Sequence, residues 1–123
     1  MIFIDNNLLN SQAFNQLGSY SVRVLIWFLM KRKLLRHKDS NGNTGWRITN
    51  NGDLVLTYAE AEKRDMNRNR FSNAIEDLIA KGFLEVTRQG SGQGSPSTYL
   101  LTESWQSYGT EHFKPVLDSK NKN

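Results

Sequence analysis

Apolar residues recur at helical spacing in three places along the chain. In "NSQAFNQLGS", Ala13, Phe14 and Leu17 share one side and Gly18 follows as a stop, which predicts a brief leading helix. In "VRVLIWFLMKRKLL", the stripe of Val22, Leu25, Ile26, Leu29 and Met30 is widened by Val24, Trp27 and Phe28. Ser19 or Ser21 caps this second predicted helix, and the Lys and Arg crowding its last turns suit a helix C-terminus. A helix that is apolar nearly all round is central in its core or shared with a partner subunit, so a homodimer through residues 22–30 is an expectation. The third helix starts at an Asn67 cap, continues to Lys81 and stops at Gly82. Its Phe71, Ala74, Ile75, Leu78 and Ile79 fall on one side, with Asn69, Asn73 and Glu76 on the other.

Elsewhere the pattern is shorter. Residues 37–45, "HKDSNGNTG", read as a polar loop. Two β-prone runs, 46–49 and 54–56, flank Asn50, Asn51, Gly52 and Asp53 and predict a hairpin on an Asn-Gly turn. "TYAE" matches a capping box, Thr57 with Glu60, which starts a short helix from Tyr58 to about Asp65. After the third long helix, 83–88 and 97–102 read as paired strands joined by "QGSGQGSP". Trp105, Tyr108 and Phe113 are expected to pack back on the domain, and 118–123 to be a disordered tail.

Composition sets the scale. A chain of 123 residues with 37% hydrophobic and 23% charged residues can bury one core, so one domain over 1–117 is expected, its centre in 19–102. There is no cysteine, which excludes disulfides and thiolate metal sites and fits the reducing cytoplasm. The longest apolar run, "VLIWFLM", is far short of the ~18 residues a bilayer span needs, so neither a membrane span nor a signal peptide is expected. The net charge of +4 favours polyanionic partners. All of that excess lies in residues 1–45, where Arg23, Lys31, Arg32, Lys33, Arg36 and Lys38 face Asp5 and Asp39.

The order of elements resembles the winged helix-turn-helix family. The resemblance rests on "LTYAEAEKRDMNRNRFSNAIEDLIAKGFLEV" followed by "STYLLT", in which "AIEDLIAKGFLEV" looks like the end of a recognition helix running into a wing strand. With the preceding long helix it covers 19–102. It implies an α+β fold with three main helices and a small antiparallel sheet, the wing. The segment over 57–83 is also similar to the winged helix domains of plasmid and phage replication initiators.

A helix in the major groove needs an outer face that can hydrogen-bond base edges, with Arg suited to guanine and Asn to adenine. Asn67, Arg68, Asn69, Arg70, Ser72 and Asn73 supply such a face at the N-terminal end, the end that helix-turn-helix proteins insert. The other reading of the same residues is a solvated helix start, with Asn67 as cap and the arginines paired to Glu62 or Asp65. Residues 57–83 hold five cations and five anions, so attraction to phosphate must come from outside this motif. Two sources are available: the wing, with Arg88, Gln89, Gln93 and Ser95, and the basic run with Lys31, Arg32, Lys33, Arg36 and Lys38, read as a helix end followed by a loop.

Enzymatic chemistry finds no support. His37 and His112 lie far apart without a carboxylate motif, so no metal is expected. No nucleophile elbow is present, and "GSGQG" lacks the Lys-Ser/Thr ending of a phosphate loop, so neither a catalytic residue nor a cofactor is expected. The expected function is sequence-specific binding of double-stranded DNA, in replication initiation of a mobile element or in transcriptional regulation. The alternative is a winged helix that binds protein instead, through Trp27, Phe28, Trp105 and Tyr108.

Overall fold

The computed structural model describes residues 4–91 and 95–114, which form an α+β fold. Two single-turn helices lead: α1 (Asn6–Leu9), capped by the Asp5 carboxylate, and α2 (Gln12–Asn15), capped by the Ser11 hydroxyl. The expected brief leading helix corresponds to α2, and α1 is an additional turn before it that starts on its own Asp5 cap. Next comes α3 (Ser19–Lys31), whose cap position is Gly18 and neither of the expected serines. The missing cap side chain is replaced from across the fold. The Asp77 carboxylate accepts from the Gly18 N–H (3.1 Å) and from the Ser21 hydroxyl (2.6 Å).

The largest departure from expectation follows α3. The helix stops at Lys31, and β1 (Leu34–Lys38) pairs antiparallel with β2 (Thr44–Ile48), setting Leu34 opposite Ile48, Arg36 opposite Trp46 and Lys38 opposite Thr44. The stretch expected to be helix end and polar loop is thus a β-hairpin. Its turn is "DSNGN": Asp39 Oδ1 accepts from the N–H groups of Asn41 and Asn43, both at 2.9 Å, and Gly42 takes the left-handed conformation at φ 86°. Asn50 then closes the base of the hairpin, accepting from the Lys33 N–H (2.7 Å) and donating to the Lys31 carbonyl (2.9 Å).

The Asn51 and Gly52 turn also forms, but it does not fold 54–56 back on 46–49. Leu54 instead exchanges two backbone hydrogen bonds with Tyr99, at 3.1 and 2.9 Å. Tyr99 belongs to β4 (Thr98–Leu101), which pairs antiparallel with β3 (Leu84–Arg88). Asn51 extends the attachment by bonding both the N–H and the carbonyl of Leu101 through its side chain. Leu54 so joins the two-stranded β3 and β4 sheet through a single bridge.

Between these sheets lie α4 (Tyr58–Lys63) and α5 (Arg68–Ala80). Both halves of the Thr57 and Glu60 capping box are made, and Asn67 caps α5 through the Arg70 N–H (2.9 Å). Asp65 turns the chain between them at φ 62°, a left-handed conformation that acidic and amide residues tolerate better than most. Gly82 ends α5 at φ 85°. A 3₁₀ turn (Ser104–Ser107) brings Trp105 back over Phe83, rings stacked at 6.0 Å.

One buried cluster joins α3, α4, α5 and the β3 and β4 sheet, with Val24, Leu25, Phe28, Leu54, Met66, Leu78, Phe83 and Leu84 its most enclosed large side chains. Each such side chain contributes about 1.5–3 kcal/mol of transfer free energy. Of the four residues suggested as a protein contact, Trp27, Phe28 and Trp105 are inside this cluster and Tyr108 is half-buried against it, so the apolar girth of α3 is largely used within the chain. Among the described residues no helix is long and apolar enough to cross a membrane.

Candidate nucleic-acid interface

The N-terminal half of α5 has two unlike sides. Phe71, Ala74 and Ile75 are buried, whereas Asn67, Arg68, Asn69, Arg70 and Asn73 are exposed and Ser72 is half-buried. The exposed arginines are not paired as a solvated helix start would have them. Among the described residues neither makes an ion pair with a carboxylate. Each guanidinium lies over an aromatic ring instead, Arg68 over Tyr58 at 4.3 Å and Arg70 over Tyr20 at 4.8 Å from the ring centre.

A ring beneath a guanidinium binds its face by cation–π attraction and leaves its N–H edge pointing outward. Tyr58 is itself fixed, by an edge-on contact with Phe71 (5.5 Å) and by a hydroxyl contact with Ser72 Oγ (3.1 Å). The helix start therefore presents two oriented guanidinium groups with the exposed side chains of Asn69 and Asn73 beside them. The expected residues over 67–73 are together on one surface. Two of them also hold the fold, Asn67 as the helix cap and Ser72 through Tyr58.

Sequence reasoning missed the aromatic platforms and a second basic cluster beside them. Tyr20, Arg23, Trp27 and Lys31 recur along α3 at three- and four-residue spacing, which puts them on one helix face. That face meets the α4 and α5 turn. Arg23 donates to the Arg64 carbonyl (2.9 Å), and both guanidinium groups lie over Trp27, at 5.4 Å for Arg23 and 5.1 Å for Arg64. Lys31 pairs with Glu60. The periodicity was present in the sequence, but it was legible only as core-forming.

The β3 and β4 hairpin is tied across its own base. Arg88 donates to Ser95 Oγ (2.9 Å) and to the Pro96 carbonyl (3.0 Å), so two of the expected contact residues, Arg88 and Ser95, bind each other. Gly90 sits where its two limbs nearly touch: a Cβ there would fall 2.6 Å from the Ser95 carbonyl oxygen and 2.8 Å from the Ser97 nitrogen. Gln89 is exposed, and Gln93 lies outside the described residues.

The basic run is divided between the end of α3 and the β1 and β2 hairpin. Lys31 ends α3 in its ion pair with Glu60, and Arg32 is half-buried, where desolvation lowers its pKa. Lys33, Arg36 and Lys38 are exposed. Among the described residues no three His, Asp or Glu side chains are grouped to hold a metal ion. No family model, no curated protein and no solved structure matches this chain.

Proposed function

We propose that the chain is a winged helix DNA-binding protein that places the start of α5 in the major groove of a duplex and the β3 and β4 hairpin, as its wing, against the flanking backbone. The observation that carries this reading is the pair of ring-supported arginines, Arg68 on Tyr58 and Arg70 on Tyr20, with exposed Asn69 and Asn73 at the same helix start. Ring-supported guanidinium groups with no carboxylate ion pair among the described residues, beside exposed amides, suit guanine and adenine edges and phosphate. The succession α3, Leu54 bridge, α4, α5, β3 and β4, with the β1 and β2 hairpin inserted after α3, supports the winged helix assignment. Both transcriptional regulation and replication initiation on a mobile element use a duplex reader of this kind.

Fluorescence anisotropy with labelled duplexes, across a series of salt concentrations, tests the reading. The affinity should fall log-linearly with salt. Arg68→Ala with Arg70→Ala should weaken binding to a preferred site at least about tenfold and flatten the discrimination between sites. No duplex binding at low salt would sink it.

A further inference from the structure

We infer that the β1 and β2 hairpin is a separate binding arm for unpaired, single-stranded nucleic acid, with Trp46 as the stacking platform and Arg36 and Lys38 as the phosphate contacts. Residues 32–49 hold five cations, Arg32, Lys33, Arg36, Lys38 and Arg47, against the single anion Asp39. That is a net of +4, equal to the whole chain's, so the other residues hold eleven cations and eleven anions. The paired hairpin itself, residues 34–48, carries Arg36, Lys38 and Arg47 against Asp39, a net of +2, and Arg32 and Lys33 lie where it leaves α3.

The pairing sets two of these cations on the same face of the hairpin as an aromatic ring. Arg36 stands directly opposite Trp46, and Lys38 opposite Thr44 on the next rung of the same face, because residues two apart in a strand share a face. Arg47 pairs with Leu35 on the reverse face. Trp46 is 53% exposed, in contrast to Trp27 at 8% and Trp105 at 6%. The one acidic group is turned into the loop, where its carboxylate is engaged by the N–H groups of Asn41 and Asn43. Leu34 and Ile48, at the end nearest the body, are half-buried, as is Gly45.

An exposed indole between cations on a ribbon offers two things at once, a π-face for a base and charge for the adjoining phosphates, which is the chemistry of single-strand binding. A duplex offers the indole little, because its base faces are already stacked on one another. The charge excess selects a polyanion, and the indole selects one whose bases are open. The arm is independent of the α5 reading: Arg68 and Arg70 contribute nothing to it.

The test uses the full chain and a poly-dT oligonucleotide, which has no secondary structure and does not fluoresce. Because the other two tryptophans are buried, stacking on residue 46 should quench the exposed component of the emission. Trp46→Phe should abolish the quench, and Trp46→Ala should weaken poly-dT binding about tenfold. Arg36→Ala with Lys38→Ala should weaken it and lower the salt slope by about 1.4, at ~0.7 per phosphate contact on a single strand. Arg68→Ala with Arg70→Ala should leave poly-dT binding and quenching intact while duplex binding falls, so the two readings fail separately. Poly-dT binding without quenching, or binding indifferent to the hairpin variants, would overturn the inference. So would silence toward poly-dT with a blue-shifted response to anionic phosphatidylserine vesicles, or a larger quench from a duplex than from poly-dT.

Discussion

Arg68 lies over the ring of Tyr58 at 4.3 Å, and Tyr58 in turn reaches Ser72 through its hydroxyl at 3.1 Å, so a residue of α4 orients the outward face of α5. The α4 and α5 turn thereby does more than connect two helices. It decides where a guanidinium points before any ligand arrives, which reduces the side-chain entropy lost on binding.

Tyr58 is 41% exposed, which lets its platform role be separated from a core role. Tyr58→Phe keeps the ring and loses only the hydroxyl contact, and duplex affinity should stay near that of the wild type. Tyr58→Leu removes the π-face and should cost about two- to fivefold in affinity, the size of an exposed cation–π contact. Anisotropy titrations of the two variants, with thermal melts alongside, check this. Equal loss in both would mean that the ring does not orient Arg68.

Asp77 is the clearest pH-sensitive link in the fold. Burial works against its charge, but Lys81, the Ser21 hydroxyl and the Gly18 N–H all bond the carboxylate and together hold its pKa below the ordinary 3.8. A carboxyl group with a lowered folded pKa contributes stability above its unfolded value and loses it as pH falls through the folded value. Asp77→Asn should therefore destabilise the protein by about 1–3 kcal/mol at pH 7, with a smaller deficit at about pH 2, as the carboxylate takes up its proton. Urea unfolding at the two pH values measures both. A deficit unchanged at low pH would show that the charge is not the cause.

Gly82 carries two constraints at one position. Its φ of 85° is left-handed, and a Cβ would sit 2.7 Å from the Trp105 nitrogen and 2.8 Å from the Ser104 carbonyl carbon, both backbone atoms with nowhere to go. Gly82→Ala should cost about 2 kcal/mol or more, since left-handed strain alone accounts for roughly 1–2. A chemical denaturation midpoint close to the wild type would show that the 3₁₀ turn is not seated on this glycine.

These elements differ in how far the sequence reveals them, and the difference is physical. The boundaries of α4 and α5 rest on local chemistry, Thr57 with Glu60, Asn67 with the Arg70 N–H, and Gly82, and each signal lies within a turn of what it controls. The hairpins do not. Two Asn-Gly pairs, at 41–42 and 51–52, compete for the same β-prone run 44–49, and the choice depends on Leu54 finding Tyr99 far along the chain. Once Leu54 is bridged to Tyr99 of β4, the run at 44–49 is left to pair with 34–38, and the helix before it must stop early. The residues of the candidate surface could be read from the α5 pattern, but the rings of Tyr20 and Tyr58 beneath them could not, because they come from α3 and α4.

Arg88 separates charge from geometry in the β3 and β4 hairpin. Its guanidinium uses two of five N–H donors on Ser95 Oγ and the Pro96 carbonyl, so the same side chain can clamp the loop and still offer donors to a phosphate. Arg88→Lys keeps the charge but lacks the fork needed to hold both acceptors. If the clamp is the larger role, Arg88→Lys should lower duplex affinity nearly as much as Arg88→Ala does. It should also speed hydrogen exchange at the Gly90 and Ser91 amides, which bond to Ser97 and Ser95 across the loop. If the charge is the larger role, Arg88→Lys should keep the wild-type salt slope, and Arg88→Ala should lower that slope by about one phosphate contact. An Arg88→Lys variant with wild-type affinity and unchanged exchange would assign the hairpin's shape to Gly90 and its close approach to Ser95 alone.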